Sequence, residues 1–165
     1  MNKKKKPSFD SLFRQGTELL QRQKFDQAID LLKKAHAMKP THVDAAVNLS
    51  GAYILTKKFK QAVRVLEPLS QAEGAGNAML WTNLGAAYLG NPILARDEEQ
   101  KRAIAAFEQA LAINPIASNV AYNIGLIYRD RQENEQAIHW FKKAIQANPN
   151  DRDARNIIER LAGDK

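Results

Sequence analysis

One unit of sequence recurs through this chain at a nearly constant interval, and that interval restricts the fold more than any other feature. Its fullest form runs Trp81-Thr-Asn-Leu-Gly-Ala-Ala-Tyr88, followed by Ala103, Phe107, Ala110 and then Pro115. The same order returns as Tyr122-Asn-Ile-Gly125-Leu-Ile-Tyr128 with Ala137, Phe141, Ala144 and Pro149. Upstream it reads Asn48-Leu-Ser50-Gly-Ala-Tyr53 with Ala62, and before that Gly16-Thr-Glu-Leu19 with Ala28, Leu32, Ala35 and Pro40. The small residue before each aromatic or leucine sets the period: 34 residues from Gly16 to Ser50, 35 from Ser50 to Gly85 and 40 from Gly85 to Gly125. The landmarks Ala28 to Ala62 and Ala103 to Ala137 are each 34 apart. Self-similarity at this period is the signature of a solenoid, in which each unit buries its apolar face only against its neighbours.

Each copy reads as two helices. Leu12, Leu19 and Leu20 form one apolar stripe in the first copy, and Phe25, Ala28, Ile29, Leu32 and Ala35 form another at helical spacing. Gly16, Ala28 and Ala35 fall where antiparallel helices approach closely, so bulkier side chains there are expected to overpack the contact by about 1–3 kcal/mol. These landmarks resemble those of the tetratricopeptide repeat family, whose W-x-x-L-G-x-x-Y signature matches Trp81 to Tyr88, and the resemblance runs from about Phe9 to Asp151. It implies an all-α, right-handed α-solenoid of helix-turn-helix repeats. The expected organisation is a flexible basic tail (1–8), repeats at 9–42, 43–77, 78–117 and 118–151, and a capping helix (152–165).

The copies differ from one another in ways with physical consequences. Thr41-His-Val-Asp44 has capping-box spacing, so the Thr41 hydroxyl is expected to cap the helix that follows Pro40. Pro68 falls inside the second helix of the second copy, where it removes a backbone donor and crowds the Arg64 carbonyl; a kink or an early end is expected. Gly74-Ala-Gly76 stands there in place of the usual proline. The third copy has 18 residues between Gly85 and Ala103 where the others have 12, so six are inserted between its helices. Asn91-Pro92 should break the first helix, and the good helix formers from Ala95 to Lys101 allow the second to start early. The insertion is either a tolerated extension of the hairpin or a side contact for a partner. Near the C-terminus, Ala154, Ile157, Ile158 and Leu161 form one stripe against a polar face, as expected of a helix that covers the last repeat and completes the array.

The residues that could carry function follow from the resemblance. In this family the first helices line a concave groove, and the position two before each landmark points into it: here Arg14, Asn48, Asn83 and Asn123. An asparagine amide both donates and accepts, so a row of them can hold a peptide backbone without reading its sequence. The row is similar to the asparagine ladder of O-linked N-acetylglucosamine transferases, shortened by Arg14. Three such residues at about 0.5–1.5 kcal/mol per hydrogen bond fall short of the roughly 8 kcal/mol of a micromolar complex, so apolar contacts must add to them. Phe13 and Thr17, Val47 and Leu55, Met79 and Ala86, and Tyr122 and Leu126 occupy neighbouring positions, where each either faces the groove or belongs to the core. Family members that clamp the acidic C-termini of heat-shock chaperones use Lys, Asn and Arg at positions filled here by Phe13, Thr17, Asn48, Met79 and Asn83. Only Asn48 agrees, which argues against chaperone tails as partners.

Charge and composition narrow the remaining classes. Lys3 to Lys6 account for much of the +7 formal charge; without them 21 basic residues face 18 acidic ones, or +3. A charge confined to one end reads as a solvated tail, which argues against nucleic acid as the main partner. There is no cysteine, no apolar run of membrane-spanning length and no signal-peptide pattern after Lys6, so a cytoplasmic location is expected. His36, His42 and His139 lack metal-ligand spacing and are expected to be solvated, and no phosphate-binding glycine loop is present. Asp97-Glu98-Glu99 suits a helix start rather than a catalytic pair. The expectation is a non-enzymatic scaffold without cofactor or metal, holding a peptide segment of another protein in the groove. The alternatives are a self-assembling homo-oligomeric platform, and tethering to an anionic surface or nucleic acid through Lys3 to Lys6.

Overall fold

The computed structural model describes residues 6–117 and 119–163. Among them it contains nine helices and no strand. They run α1 Phe9–Gln21, α2 Phe25–Met38, α3 Val43–Leu55, α4 Phe59–Ser70, α5 Ala78–Leu89, α6 Asp97–Ile113, α7 Val120–Asp130, α8 Asn134–Ala147 and α9 Arg152–Gly163. Each odd-numbered helix up to α7 packs on the even-numbered helix that follows, and each even-numbered helix packs on the next, so contacts propagate from neighbour to neighbour. This is an all-α solenoid. Of the basic tail, Lys3 to Lys5 lie outside the described residues, and Lys6 is exposed.

The sequence landmarks turn out to be a steric code for pairing the two helices of a unit. Leu32, Leu66, Phe107 and Phe141 are fully buried, and Leu32, Phe107 and Phe141 meet the glycine of their own unit. A Cβ placed on Gly16 would lie 2.7 Å from Leu32 Cγ, one on Gly85 2.6 Å from the Phe107 ring, and one on Gly125 2.9 Å from the Phe141 ring. Those distances are well inside van der Waals contact, so the larger the second helix's side chain, the more the first helix must yield at that point. In the second unit Ser50 takes the place of glycine, is buried, and satisfies its hydroxyl by donating to Val47 O at 2.8 Å. Pro40, Pro115 and Pro149 each stand two residues beyond the last residue of α2, α6 and α8, where a missing N–H is harmless to the helix.

Helix starts follow from local chemistry, with one correction. Ser8 Oγ accepts from the Ser11 N–H at 3.3 Å, Asn77 Oδ1 from Leu80 N–H at 2.9 Å and Asp151 Oδ1 from Ala154 N–H at 2.9 Å. For α3 the expected cap, Thr41, is displaced by His42, whose Nδ1 accepts from Ala45 N–H at 3.3 Å. The reason is tertiary: the His42 ring is held against Phe9 and Phe13 at centroid distances of 4.8 and 5.4 Å, which aims its nitrogen at the first turn. His42 is therefore half-buried and structural rather than solvated. His36 is also half-buried, with burial lowering its pKa, while His139 is exposed as expected. Replacing His42 with alanine should lower stability in urea unfolding by about 1–2 kcal/mol, and His42→Asn, which keeps a capping acceptor, should recover part of that loss.

The two irregular units resolve differently. Pro68 lies in the last turn of α4, which ends at Ser70, two residues short of the length of α2 or α8; the early end is the outcome. In the third unit the inserted residues divide between turn and helix. The helix α6 begins 12 residues after Gly85, against 9 after Gly16, Ser50 and Gly125 in the other units, and it is 17 residues long against 14 for α2 and α8. Gly90, at φ 57° and ψ −120°, ends α5 in a conformation that favours glycine. At the other three turns the positive φ is carried by Gln23, Lys57 and Gln132.

Candidate functional site

The first helices form a row, α1 beside α3 and α3 beside α5, so residues at matching positions come together across units. None of the expected groove residues is fully buried. Arg14, Leu55 and Met79 are exposed, and Phe13, Thr17, Val47, Asn48, Asn83, Ala86, Tyr122, Asn123 and Leu126 are half-buried. Leu55 and Met79, at 59% and 57% exposure, are large apolar side chains that no core cluster claims. Others serve partly as packing. Phe13 stacks on Phe9 at 5.7 Å, Val47 leans on the cluster around Leu66 and Leu80, Ala86 on the cluster around Phe107, and Leu126 on the cluster around Phe141. Tyr122 sets its edge against the Phe141 ring at 5.3 Å, and burial raises its pKa above the ordinary tyrosine value.

The asparagine row is not uniformly available, since two of its three amides are tied to a neighbouring first helix. The Asn48 amide donates to Thr17 Oγ1 at 2.9 Å, tying α3 to α1. The Asn83 amide donates to Val47 O at 3.2 Å and Ser50 Oγ at 3.1 Å, tying α5 to α3. Both amide nitrogens are thus committed to the preceding first helix, whereas their Oδ1 atoms make no hydrogen bond among the described residues. Asn123 makes no side-chain hydrogen bond among the described residues, because α7 leans mainly on α6 and α8. Ser50 as an acceptor was not foreseeable from its own copy; the signal lay in the pairing of Ser50 with an asparagine 33 residues later.

Exposed ion pairs join each unit to the next: Lys58 to Asp26 at 3.1 Å, Arg102 to Glu67 at 2.6 Å and Arg131 to Asp97 at 2.8 Å. Solvent screening makes each of them weak. The hydrogen bond from Lys101, with its charge and that of Arg131, keeps the Asp97 carboxyl below the ordinary range. The acidic start of α6 is therefore a structural feature: Glu99 Oε2 accepts from the Arg96 N–H at 3.0 Å while Asp97 and Glu98 face Lys101. Among the described residues no cluster of His, Asp or Glu could hold a metal ion, and no helix is long and apolar enough to cross a membrane.

Helix pairs stacked in register, with a row of polar and apolar side chains along their first helices, define the class of helical-repeat scaffolds. The tetratricopeptide repeat family matches this sequence over residues 19–88 and again over 118–151, together more than half of the chain. The chain belongs to the tetratricopeptide repeat family, whose members serve as protein-interaction scaffolds. Its fold is similar to a crystal structure of MamA (24% identity, TM-score 0.79, covering 94% of this chain and 81% of that one). It is also similar to MamA from Desulfovibrio magneticus RS-1 (21%, 0.75, 89% and 79%) and to TTC0263, a thermophilic repeat protein of this kind in Thermus thermophilus (18%, 0.76, 95% and 82%). No curated protein matches the chain significantly.

Proposed function

We propose that the chain is a non-enzymatic scaffold whose first helices hold a peptide segment of a partner protein. The observation that carries this reading is the exposure of Leu55 and Met79 on the first helices α3 and α5, close in sequence to Asn48 and Asn83. Two large apolar side chains without a core role supply the contact area that hydrogen bonds alone cannot. The remaining polar capacity is asymmetric: Asn123 offers donor and acceptor, whereas Asn48 and Asn83 offer chiefly their carbonyl oxygens. Such a surface suits a partner segment that donates backbone N–H groups along α3 and α5 and places spaced apolar side chains between them. The helix stack is ordered before the partner arrives, so less conformational entropy opposes binding.

Because Asn83 ties α5 to α3, substituting it confuses binding with folding. The cleaner variant is Leu55→Ser with Met79→Ser and Asn123→Ala, which touches two exposed side chains and an amide with no partner among the described residues. It should retain wild-type helicity and melting yet lose at least about tenfold in affinity for groove partners, identified by comparing proteins retained by wild type and variant. Equal retention of every partner by both forms would exclude the groove.

A further inference from the structure

A cavity of about 670 Å³ lies between the start of α4, the end of α5 and the turn that the insertion creates. None of the groove candidates lines it. Its floor is apolar, with Phe59 and Val63 from α4 and Ala87, Tyr88 and Leu89 from α5, and Leu94 of the inserted turn stands at its edge. Gly90 brings the turn over the Phe59 ring, a Cβ there lying 3.5 Å from Cδ2. Leu94 is 74% exposed and its neighbour Ile93 is 91% exposed, so the inserted residues present apolar side chains to solvent instead of packing them away.

The rim carries the opposite character. Lys57, Lys60 and Arg64 line the α4 side, and none of the three is in an ion pair among the described residues. Arg102 closes the far end, held over the Tyr88 ring at 4.0 Å and paired to Glu67. Tyr88 also donates to Glu67 at 2.8 Å; burial, and then that carboxylate, raise its pKa and keep the phenol protonated. The one acidic side chain lining the cavity, Glu99, is turned to Arg96 at 2.7 Å. The result is a recessed apolar floor bordered by three cations without carboxylates. Lys60 and Arg64, four residues apart on α4, are separated by about 6 Å along the axis.

We propose that this cavity is a second docking site, independent of the groove, for an acidic amphipathic segment of a partner protein. One large apolar side chain of that segment enters between Phe59, Val63 and Leu94, and carboxylates about one helical turn apart meet Lys60 and Arg64. The cations are strung along one edge rather than converging on a point, which suits a row of carboxylates better than a phosphate. The recessed floor suits an inserted side chain better than a flat bilayer surface.

The test uses the full chain and a short fluorescein-labelled peptide rich in glutamate and aspartate around a central tryptophan, read by fluorescence anisotropy. Wild type should bind it, and Lys60→Glu with Arg64→Glu should weaken binding at least about tenfold and abolish its salt dependence. Leu94→Asp, at an exposed position, should weaken it similarly, and replacing the peptide tryptophan with alanine should have the same effect. The groove variant Leu55→Ser, Met79→Ser, Asn123→Ala should bind the peptide as wild type does, which separates this site from the proposed groove. Circular dichroism confirms that each variant is folded. The proposal is overturned if wild type fails to bind the acidic peptide, if a glutamine-substituted peptide binds equally, or if the Lys60/Arg64 double variant is unaffected. It is equally overturned if vesicles containing phosphatidylglycerol or a single-stranded oligonucleotide bind through these residues while the peptide does not.

Discussion

Replacing Phe107 with alanine is expected to cost about 3–5 kcal/mol and to melt the third unit out of the array before the others. The ring is 1% exposed, sits against Gly85 where no Cβ could be accommodated, and joins a cluster that continues through Ala110 into Val120 and Ile124 of α7. Truncation leaves a hole that glycine on the facing helix cannot fill, so the transfer loss and the cavity term add. In a solenoid, stability is close to a sum of unit and nearest-neighbour terms, and a lesion in an inner unit weakens its two interfaces without directly touching the distant ones. A typical domain has only about 5–15 kcal/mol in total, so the loss is a large share of the whole. Hydrogen exchange should show the greatest loss of protection in α5 to α7 and the least in α1 and α2. A uniform loss over every helix would contradict neighbour-only coupling.

The second large effect is expected at the C-terminal end. Ala154 and Ile157 of α9 are buried against Ala137 and Phe141 of α8, with Ile158 and Leu161 packed alongside. Introducing a carboxylate by Ile157→Asp places an unpaired charge at that contact, and the helix will leave rather than bury it. The penalty should be about 3 kcal/mol or more, and detachment uncovers the outward face of the last unit, including Ile145 and Leu126. Increased binding of a hydrophobic dye and concentration-dependent light scattering should accompany a lower melting temperature. Unchanged scattering and melting would show that α9 is not needed as a cap.

Both effects rest on features visible in the primary structure, and the reason is range. The small residue and the large side chain it faces are 16 residues apart in the pairs Gly16 with Leu32 and Gly125 with Phe141, so a helix, a tight turn and a returning helix bring them together. The apolar stripe of α9 is likewise read within one helix, because its covering role needs only the adjacent α8. The candidate site was less legible. Position identified Asn48, Asn83 and Asn123 as equivalent, but whether an amide is available depends on what the neighbouring first helix offers. Thr17, and Val47 with Ser50, take up the first two, whereas α7 leans elsewhere and the third has no partner among the described residues.

The period, the pairing of helices, the proline stops and the covering helix are all written in the order of residues, since each follows from side chains within about one repeat of each other. Only tertiary packing settled that His42 rather than Thr41 caps α3, because Phe9 and Phe13 of α1 orient its ring. The same packing set how the six inserted residues are shared between a longer α6 and a wider turn, and hence that a cation-rimmed cavity opens between α4 and α5. Composition and periodicity record what a helix prefers to bury; the identity of the atoms it meets is fixed only when one unit settles on the next.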